Sequence, residues 1–224
     1  MSRPYQVPLS IELPLIQDLN NFVVGKNTEL VKLVTRSPKR FTGVWLHGPA
    51  GCGRSHLLRA CRRAQPEQVA YLNAADAEFG PQSYSGSHAT VMLDDVAAIC
   101  GNRDQEEAVM GLYQRCLQND GMLVCVHEEP AAEVDFLLPD LNSRMRSLMH
   151  FAMSPLDDED KAELLKHRAK MRGYELDDRV IHYWLTRGPR DVSRLLVDLD
   201  ALDRASLSHQ KKVTIALLKQ VLGY

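Results

Sequence analysis

The stretch HGPAGCGRSH, residues 47–56, has the residue types and the spacing of a phosphate-binding loop. In the pattern G-x-x-x-x-G-K-[ST], Gly48, Gly53 and Ser55 fall in place, and Arg54 stands where lysine is expected. Glycines let backbone N–H groups turn toward an anion, and a helix that starts behind the loop adds positive potential. A chance glycine-rich turn would lack this helix and the apolar strand before the loop. The predicted nucleotide-binding residues here are Gly48, Gly51, Cys52, Gly53, Arg54, Ser55 and His56.

An apolar run that ends in two carboxylates, VMLDD at residues 91–95, supplies the second half of such a site. Ser55 would bind Mg²⁺ through its hydroxyl, and Asp94 would hold the ion through water. The acidic end of one strand is a weak signal, and the preceding phosphate loop makes it specific. No other metal site is predicted, because the eight histidines and five cysteines lack ligand spacing.

Arg54 is the departure from the pattern. Lysine is a thin point charge, whereas arginine is planar and bulkier and carries a fork of donors. Arg54 can therefore bind diphosphate oxygens but crowds the position of a γ-phosphate. Asp95 also replaces the longer glutamate that often polarises the attacking water. These residues predict a site that holds ADP or another nucleoside diphosphate and hydrolyses a triphosphate poorly. Whether the protein has an ATPase activity of its own is left open.

The elements that must position these residues alternate between strand and helix in the first part of the chain. Five apolar strands are predicted at Phe41–Gly48, Gln68–Ala74, Ala89–Asp95, Gly121–His127 and Ser147–Met153. Alternation with helices predicts an α/β domain with a parallel five-stranded sheet and helices on both faces. Beyond a boundary near Pro155 only helices are predicted, at Asp157–Arg172, Asp177–Arg187, Pro189–Ser206 and Thr214–Leu222. They would form a small all-α domain.

Composition limits the class of protein. The 224 residues are 45% hydrophobic and 25% charged, as expected for a globular protein with a core. The net charge of −2 does not favour binding to nucleic acid or to an anionic membrane. No apolar run reaches the length of a membrane span, and the N-terminus lacks the apolar core of a signal peptide. A cytoplasmic protein with reduced cysteines is predicted.

Several segments carry a resemblance to a known family. GPAGCGRSHLL, VMLDDVAAI, LPDLNSRM and RDVSRLLVDLDALDRAS resemble the AAA+ ATPases of the DnaA initiator group, and FVVGKNTEL resembles the opening of their ATPase domain. The resemblance runs from Asn20 to the C-terminus. It implies an N-terminal tail (1–19), an AAA+ nucleotide-binding domain (20–155) and a helical lid domain (156–224). Arg54, the short N-terminus and the absence of a helix-turn-helix domain before Tyr224 are similar to regulatory members of the group, which inactivate DnaA.

The resemblance implies further nucleotide contacts. Val23, Val24 and Asn27 would border the adenine. The alternative for the two valines is packing in the core, and both interpretations can be true. Glu128, after the fourth strand, would repel a γ-phosphate if it faced the site. Arg190 in GPRDVSR matches the sensor 2 arginine, which contacts the phosphates in this family, and its alternative is a solvated helix position.

Arg144 in DLNSRM matches the family's arginine finger, a residue that completes the active site of a neighbouring molecule. The implied neighbour is DnaA, and association with copies of this chain is also possible. Arg146 lies two residues further on and is the second candidate. The alternative is an ordinary surface arginine.

The N-terminal stretch QVPLSI, residues 6–11, resembles the clamp-binding peptide of bacterial replication proteins. Gln6 would hydrogen-bond at the pocket edge, and Val7, Leu9 and Ile11 would enter an apolar groove of the DNA polymerase III sliding clamp. So short a pattern also occurs by chance, in a disordered tail or an edge strand.

Two functions are weighed. The first is an ADP-bound negative regulator of DNA replication initiation, which docks on the DNA-loaded clamp and stimulates ATP hydrolysis by DnaA through Arg144. The second is an autonomous AAA+ ATPase or a loader-type subunit that hydrolyses its own ATP. A third, a sequence-specific DNA-binding initiator, is disfavoured by the charge balance and the missing helix-turn-helix.

Overall fold

Five parallel strands form one sheet in the order β2-β3-β4-β1-β5. The computed structural model describes residues 18–209 and 212–223. The strands are β1 (Thr42–His47), β2 (Val69–Asn73), β3 (Thr90–Asp94), β4 (Met122–Val126) and β5 (Met149–Ala152). In register, Trp45 lies opposite Cys125 of β4 and His150 of β5. Because all pairs are parallel, the loops that follow β1, β3 and β4 leave the sheet at the same edge.

The strands alternate with helices, which confirms the predicted α/β fold class. The helices of this part are α1 (Thr28–Val34), α2 (Arg54–Ala64), α3 (Arg103–Gln118) and α4 (Pro139–Arg146), with short 3-10 helices at Leu19–Asn21, Val96–Ile99 and Ala131–Glu133. Helices α1 and α4 have no counterpart among the predicted elements. Helices of two turns are marginal on their own, and α4 buries only Leu141 and Met145.

Side chains alternate between the two faces of the sheet, so each face has its own core. On one face, Trp45 and Cys125 pack with α3 and α4. On the other, Leu46 and Val124 pack with α1 and α2. Trp45, Leu46 and Cys125 are all fully buried. The loop that follows β1 therefore leaves a strand that is covered on both sides.

The described residues divide into two units, 18–157 and 158–223. The second contains α5 (Asp158–Met171), α6 (Asp178–Arg187), α7 (Val192–His209) and α8 (Ile215–Leu222), around a core that includes the fully buried Trp184. Helix α7 begins three residues later than predicted, because Asp191 caps it by accepting from the N–H of Arg194 at 2.8 Å. In the described residues, no helix is long and apolar enough to cross a membrane.

Candidate functional site

The loop between β1 and α2 has the backbone that a phosphate cradle requires. Gly48, Gly51 and Gly53 have φ values of 154°, 75° and 103°, a region that side chains other than glycine's rarely adopt. A Cβ atom on Gly48 would lie 2.6 Å from the carbonyl oxygen of Met153. Glycine is therefore needed at the first position for space as well as for conformation.

Some N–H groups of the loop donate to carbonyls within the protein, and others lie at the start of helix α2. The N–H of Gly48 donates to the Glu128 carbonyl at 3.1 Å, and that of Cys52 donates to the Pro49 carbonyl at 3.2 Å. Helix α2 begins directly after Gly53, and the first N–H groups of a helix have no acceptor within it. The loop glycines and this helix start together fit a phosphate group.

The remaining loop side chains are largely packed. Cys52 is buried, and burial raises the pKa of its thiol, which keeps it uncharged. The ring of His56 contacts Phe22 edge-on with centroids 5.2 Å apart. Ser55 is half-buried in the first turn of α2, where its hydroxyl suits a magnesium ligand.

Arg54, the first residue of α2, turns its side chain back across the loop. Nη1 donates to the carbonyl oxygens of Gly48 and His127, the latter at 2.7 Å, and Nη2 lies 3.2 Å from Oε1 of Glu128. The Arg54 side chain is only 12% exposed, whereas that of Glu128 is 65% exposed. Because a charge in such a place needs acceptors, Arg54 joins the ends of β1 and β4 and holds the Glu128 carboxylate beside the loop.

The segment after β4 is fixed by further contacts. The ring of His127 stacks on Trp45 with centroids 5.8 Å apart, and its Nδ1 accepts from the N–H of Glu129 at 2.8 Å. Trp45 Nε1 donates to the Glu129 carbonyl at 3.0 Å. On the neighbouring β1, burial lowers the pKa of His47, and the positive charges of His150 and Arg54 act in the same direction. Basic and acidic side chains therefore lie together at this edge of the sheet.

Asp94 ends β3 with its carboxylate almost fully buried. Tyr71 on the neighbouring β2 donates its hydroxyl to Oδ2 at 2.9 Å, and the N–H of Asp95 donates to Oδ1 at 3.2 Å. Burial and the charge of Asp94 raise the pKa of Tyr71 to about 12, so the hydroxyl remains a donor. Carboxylate oxygens accept more than one hydrogen bond, so Asp94 can still accept from a metal-bound water. Asp95 itself is exposed, at a φ of 52°.

Tyr71 is not among the predicted site residues. The sequence contained a signal, because Tyr71 lies in the predicted strand that directly precedes, along the chain, the strand that ends in Asp94. Arg59 strengthens this arrangement, because its Nε donates to the Tyr71 hydroxyl at 3.1 Å and its guanidinium lies over the ring.

The predicted base-binding residues differ in their surroundings. Val23 and Val24 are half-buried, and Val24 packs against the core on the α2 face. Asn27 is buried and uses its amide within the protein: Oδ1 accepts from the N–H of Ser154 at 2.8 Å, and Nδ2 donates to the carbonyls of Ser154 at 3.0 Å and Val24 at 3.2 Å. Asn27 therefore ties the entry segment to the exit of β5.

The three predicted arginines away from the loop are exposed and each pairs with an aspartate. On α4, Arg144 lies 3.5 Å from Asp140 with its guanidinium over Tyr113 of α3. Arg146 lies 3.3 Å from Asp135.

In the helical unit, Arg190 donates from Nη1 to both carboxylate oxygens of Asp158, at 2.8 and 3.0 Å. The nucleotide contact of Arg190 stays a prediction. The predicted clamp-binding residues Gln6, Val7, Leu9 and Ile11 lie outside the described residues.

Comparison with known proteins agrees with this architecture. Residues 158–222 match the family model described as Hda, lid domain. Domain III of the Thermotoga maritima replication initiation protein DnaA is similar, with a TM-score of 0.78 and 16% identity over 94% of this chain and 97% of that chain. AMPPCP-bound DnaA from Aquifex aeolicus has a TM-score of 0.69 and 20% identity over 88% of this chain and 66% of that chain.

A third similar structure is the Thermotoga maritima RuvB Holliday junction branch migration motor, with a TM-score of 0.66 and 12% identity over 92% of this chain and 71% of that chain. At these identities, the likeness to the solved structures establishes the AAA+ fold.

We expect Asn27→Ala to lower the free energy of unfolding by about 2 kcal/mol, because the backbone groups of Ser154 lose their partners. Urea unfolding followed by circular dichroism measures the change. Asn20→Ala, at an exposed position of the same entry segment, is the control and should leave the stability unchanged. Equal stability of the two variants would contradict the tie between Asn27 and the exit of β5.

Proposed function

We propose that this chain is a DnaA-related AAA+ protein and a negative regulator of DNA replication initiation. The match of residues 158–222 to an Hda lid domain and the similarity of the fold to DnaA domain III support this proposal. In this proposal the protein is cytoplasmic and carries ADP. It docks on the DNA-loaded sliding clamp and stimulates hydrolysis of the ATP that DnaA holds. It hydrolyses little ATP itself.

The observation that carries the proposal is the bonding of Arg54. A lysine in this position would be available to the phosphates of a triphosphate. Arg54 instead bonds to two backbone carbonyls and to Glu128. This arrangement brings a carboxylate beside the loop, where a third phosphate would meet a like charge. A regulator that keeps a diphosphate needs such a site, whereas an ATPase does not.

The phosphate cradle remains available to a diphosphate. Backbone N–H groups at the start of α2 would hold the α- and β-phosphates, and Ser55 and Asp94 would hold Mg²⁺. Bound ADP would serve as a structural ligand. It would stabilise the fold by mass action, by about 3 kcal/mol at a hundredfold excess over Kd.

Arg144 is the residue we propose to act on DnaA. Its side chain is 48% exposed near the end of α4, which allows it to reach a neighbouring molecule. An arginine placed against a transferring phosphoryl group stabilises the negative charge there. Such residues increase the rate of hydrolysis by about 10³–10⁵-fold. The clamp would bring the two proteins together through Gln6, Val7, Leu9 and Ile11, an extended peptide with few anchors.

The alternative is an autonomous AAA+ ATPase or a loader-type subunit. The observation that favours it is the retained magnesium pair, Ser55 and Asp94. The position of Glu128 and the bonding of Arg54 argue against it. Nucleotide preference therefore distinguishes the two functions.

We expect ADP to bind more tightly than AMPPCP when both are titrated with Mg²⁺ by calorimetry. Glu128→Gln should reduce the difference in affinity between ADP and AMPPCP, because it removes the negative charge beside the loop. Glu129→Gln, at the adjacent exposed residue, is the control and should bind like the wild type. Tighter binding of AMPPCP by the wild type, with multiple-turnover hydrolysis of ATP, would establish the autonomous ATPase instead.

We expect Arg144→Ala to abolish stimulation of the hydrolysis of DnaA-bound ATP, and to leave clamp binding and ADP binding at wild-type values. The measurement is a single-turnover assay with labelled ATP on DnaA and clamp-loaded DNA. Arg146→Ala is a close control, because the two side chains are exposed to 48% and 47% on the same helix. If Arg146→Ala alone loses stimulation, the arginine finger is Arg146.

We expect the double variant Gln6→Ala with Leu9→Ala to lose retention on immobilised clamp, because a polar and an apolar anchor are both removed. Ser10→Ala, between the apolar anchors, should be retained like the wild type. ADP affinity should be equal in all three proteins. Full retention of the double variant would show that the clamp is bound elsewhere or not at all.

A further inference from the structure

Glu106 on α3 is a fully buried carboxylate at 0% exposure. Oε1 accepts from the backbone N–H of Gly101 at 3.1 Å and of Leu137 at 2.9 Å, and Oε2 accepts from the N–H of Leu138 at 2.8 Å. A carboxylate is costly to bury, and charge-assisted bonds to backbone N–H groups offset that cost. Glu106 therefore fastens two chain segments to α3, and one of them leads directly into α4.

Helix α4 depends on this attachment because its own first turn is poorly capped. Its N-cap residue is Leu138, whose side chain cannot accept a hydrogen bond. The Glu106 carboxylate accepts a hydrogen bond from the backbone N–H of Leu138. Asn142 secures the same approach: Oδ1 accepts from the N–H of Phe136 at 3.0 Å, and Nδ2 donates to its carbonyl at 2.7 Å. The start of α4 is thus fixed by hydrogen bonds to Glu106 and Asn142 and not by an N-cap side chain.

A second contact with α3 lies near the other end of α4. Tyr113 follows Glu106 by seven residues, so both project from one side of α3. The guanidinium of Arg144 lies 5.7 Å from the centroid of the Tyr113 ring. Tyr113 is itself held edge-on by Phe41, with centroids 5.1 Å apart. Helix α3 therefore contacts α4 both at its start and at the residue proposed as the arginine finger.

We infer that Glu106 and Tyr113 are the positioning residues of Arg144. Glu106 sets where α4 begins and in which direction it runs, and Tyr113 sets the orientation of the guanidinium. This inference rests on the proposed function of Arg144 in trans. A misplacement of about 1 Å in a group that acts in a transition state can cost on the order of a hundredfold in rate. Loosening either contact should therefore reduce the trans reaction and leave nucleotide binding intact.

The test compares Glu106→Gln with Glu107→Gln in the single-turnover assay on DnaA-bound ATP. Glutamine keeps the size, but its amide nitrogen donates instead of accepting, so the N–H groups lose an acceptor. At saturating protein we expect Glu106→Gln to lower the maximal hydrolysis rate by about ten- to a hundredfold. The concentration for half-maximal stimulation and the Kd for ADP should not change. Glu107 is exposed and pairs with Arg103 one turn earlier on the same helix, so Glu107→Gln should behave like the wild type.

A double-mutant cycle separates positioning from a general loss of stability. In an Arg144→Ala background, Glu106→Gln should cause no further loss of rate, because both changes remove the same contribution. A second pair of variants, Tyr113→Leu and Tyr113→Phe, does not depend on the folding of Glu106→Gln. Phenylalanine keeps the aromatic ring beneath Arg144, whereas leucine removes it. Tyr113→Phe should retain stimulation and Tyr113→Leu should lose most of it.

Two results would overturn the inference, and they are distinguishable. Wild-type stimulation by a folded Glu106→Gln, or by Tyr113→Leu, with an inactive Arg144→Ala, would reject the positioning role alone. Full stimulation by Arg144→Ala would reject the finger and, with it, this inference.

Discussion

The half-buried guanidinium of Arg54 must find acceptors at the edge of the sheet, and the rest of the site depends on that requirement. It finds them on the carbonyls of Gly48 and His127 and on the carboxylate of Glu128. These groups belong to the ends of β1 and β4, neighbours only because the parallel sheet places them side by side. The planar guanidinium presents its donors in a fixed fork, which suits acceptors on two neighbouring strand ends. The residue at the lysine position of the phosphate loop thus forms a bridge within the protein, and its contact with a nucleotide stays a prediction.

This bridge is consistent with a nucleotide site that has changed its role. The loop glycines and the start of α2 keep the geometry of a phosphate cradle, and Asp94 keeps its place at the end of β3. What differs is the charge beside the cradle, because the Glu128 carboxylate is held there by Arg54. Backbone donors cannot distinguish a diphosphate from a triphosphate as strongly as a fixed charge can. In our proposal, selectivity therefore arises from Glu128 and binding arises from the backbone.

The fold was predictable from local patterns, whereas several contacts of the site were not. Apolar runs and glycine positions were sufficient for five parallel strands, the phosphate loop and a helical second unit. Helices α1 and α4 were not predicted, because two-turn helices depend on packing more than on their own sequence. The contact of Asn27 with the base stays a prediction, and the bonds of its amide to Ser154, 127 residues away, were not predicted. Arg54 likewise reaches His127 across 73 residues. No pattern in a short window contains such pairings.

The two faces of the sheet separate the proposed tasks of this protein. The phosphate loop and α2 pack with α1 on the face of Leu46 and Val124, whereas α3 and α4, which carry Arg144, pack on the face of Trp45. The sheet lies between the two sites, so one path by which the bound nucleotide could influence Arg144 runs through it. Trp45 is one route, because it lies in the α3 core and its Nε1 holds the carbonyl of Glu129, next to the residue that pairs with Arg54. Coupling across a close-packed sheet requires a packed element with two discrete arrangements. In our proposal, α3 therefore holds Arg144 ready at all times, and the bound nucleotide does not switch it on.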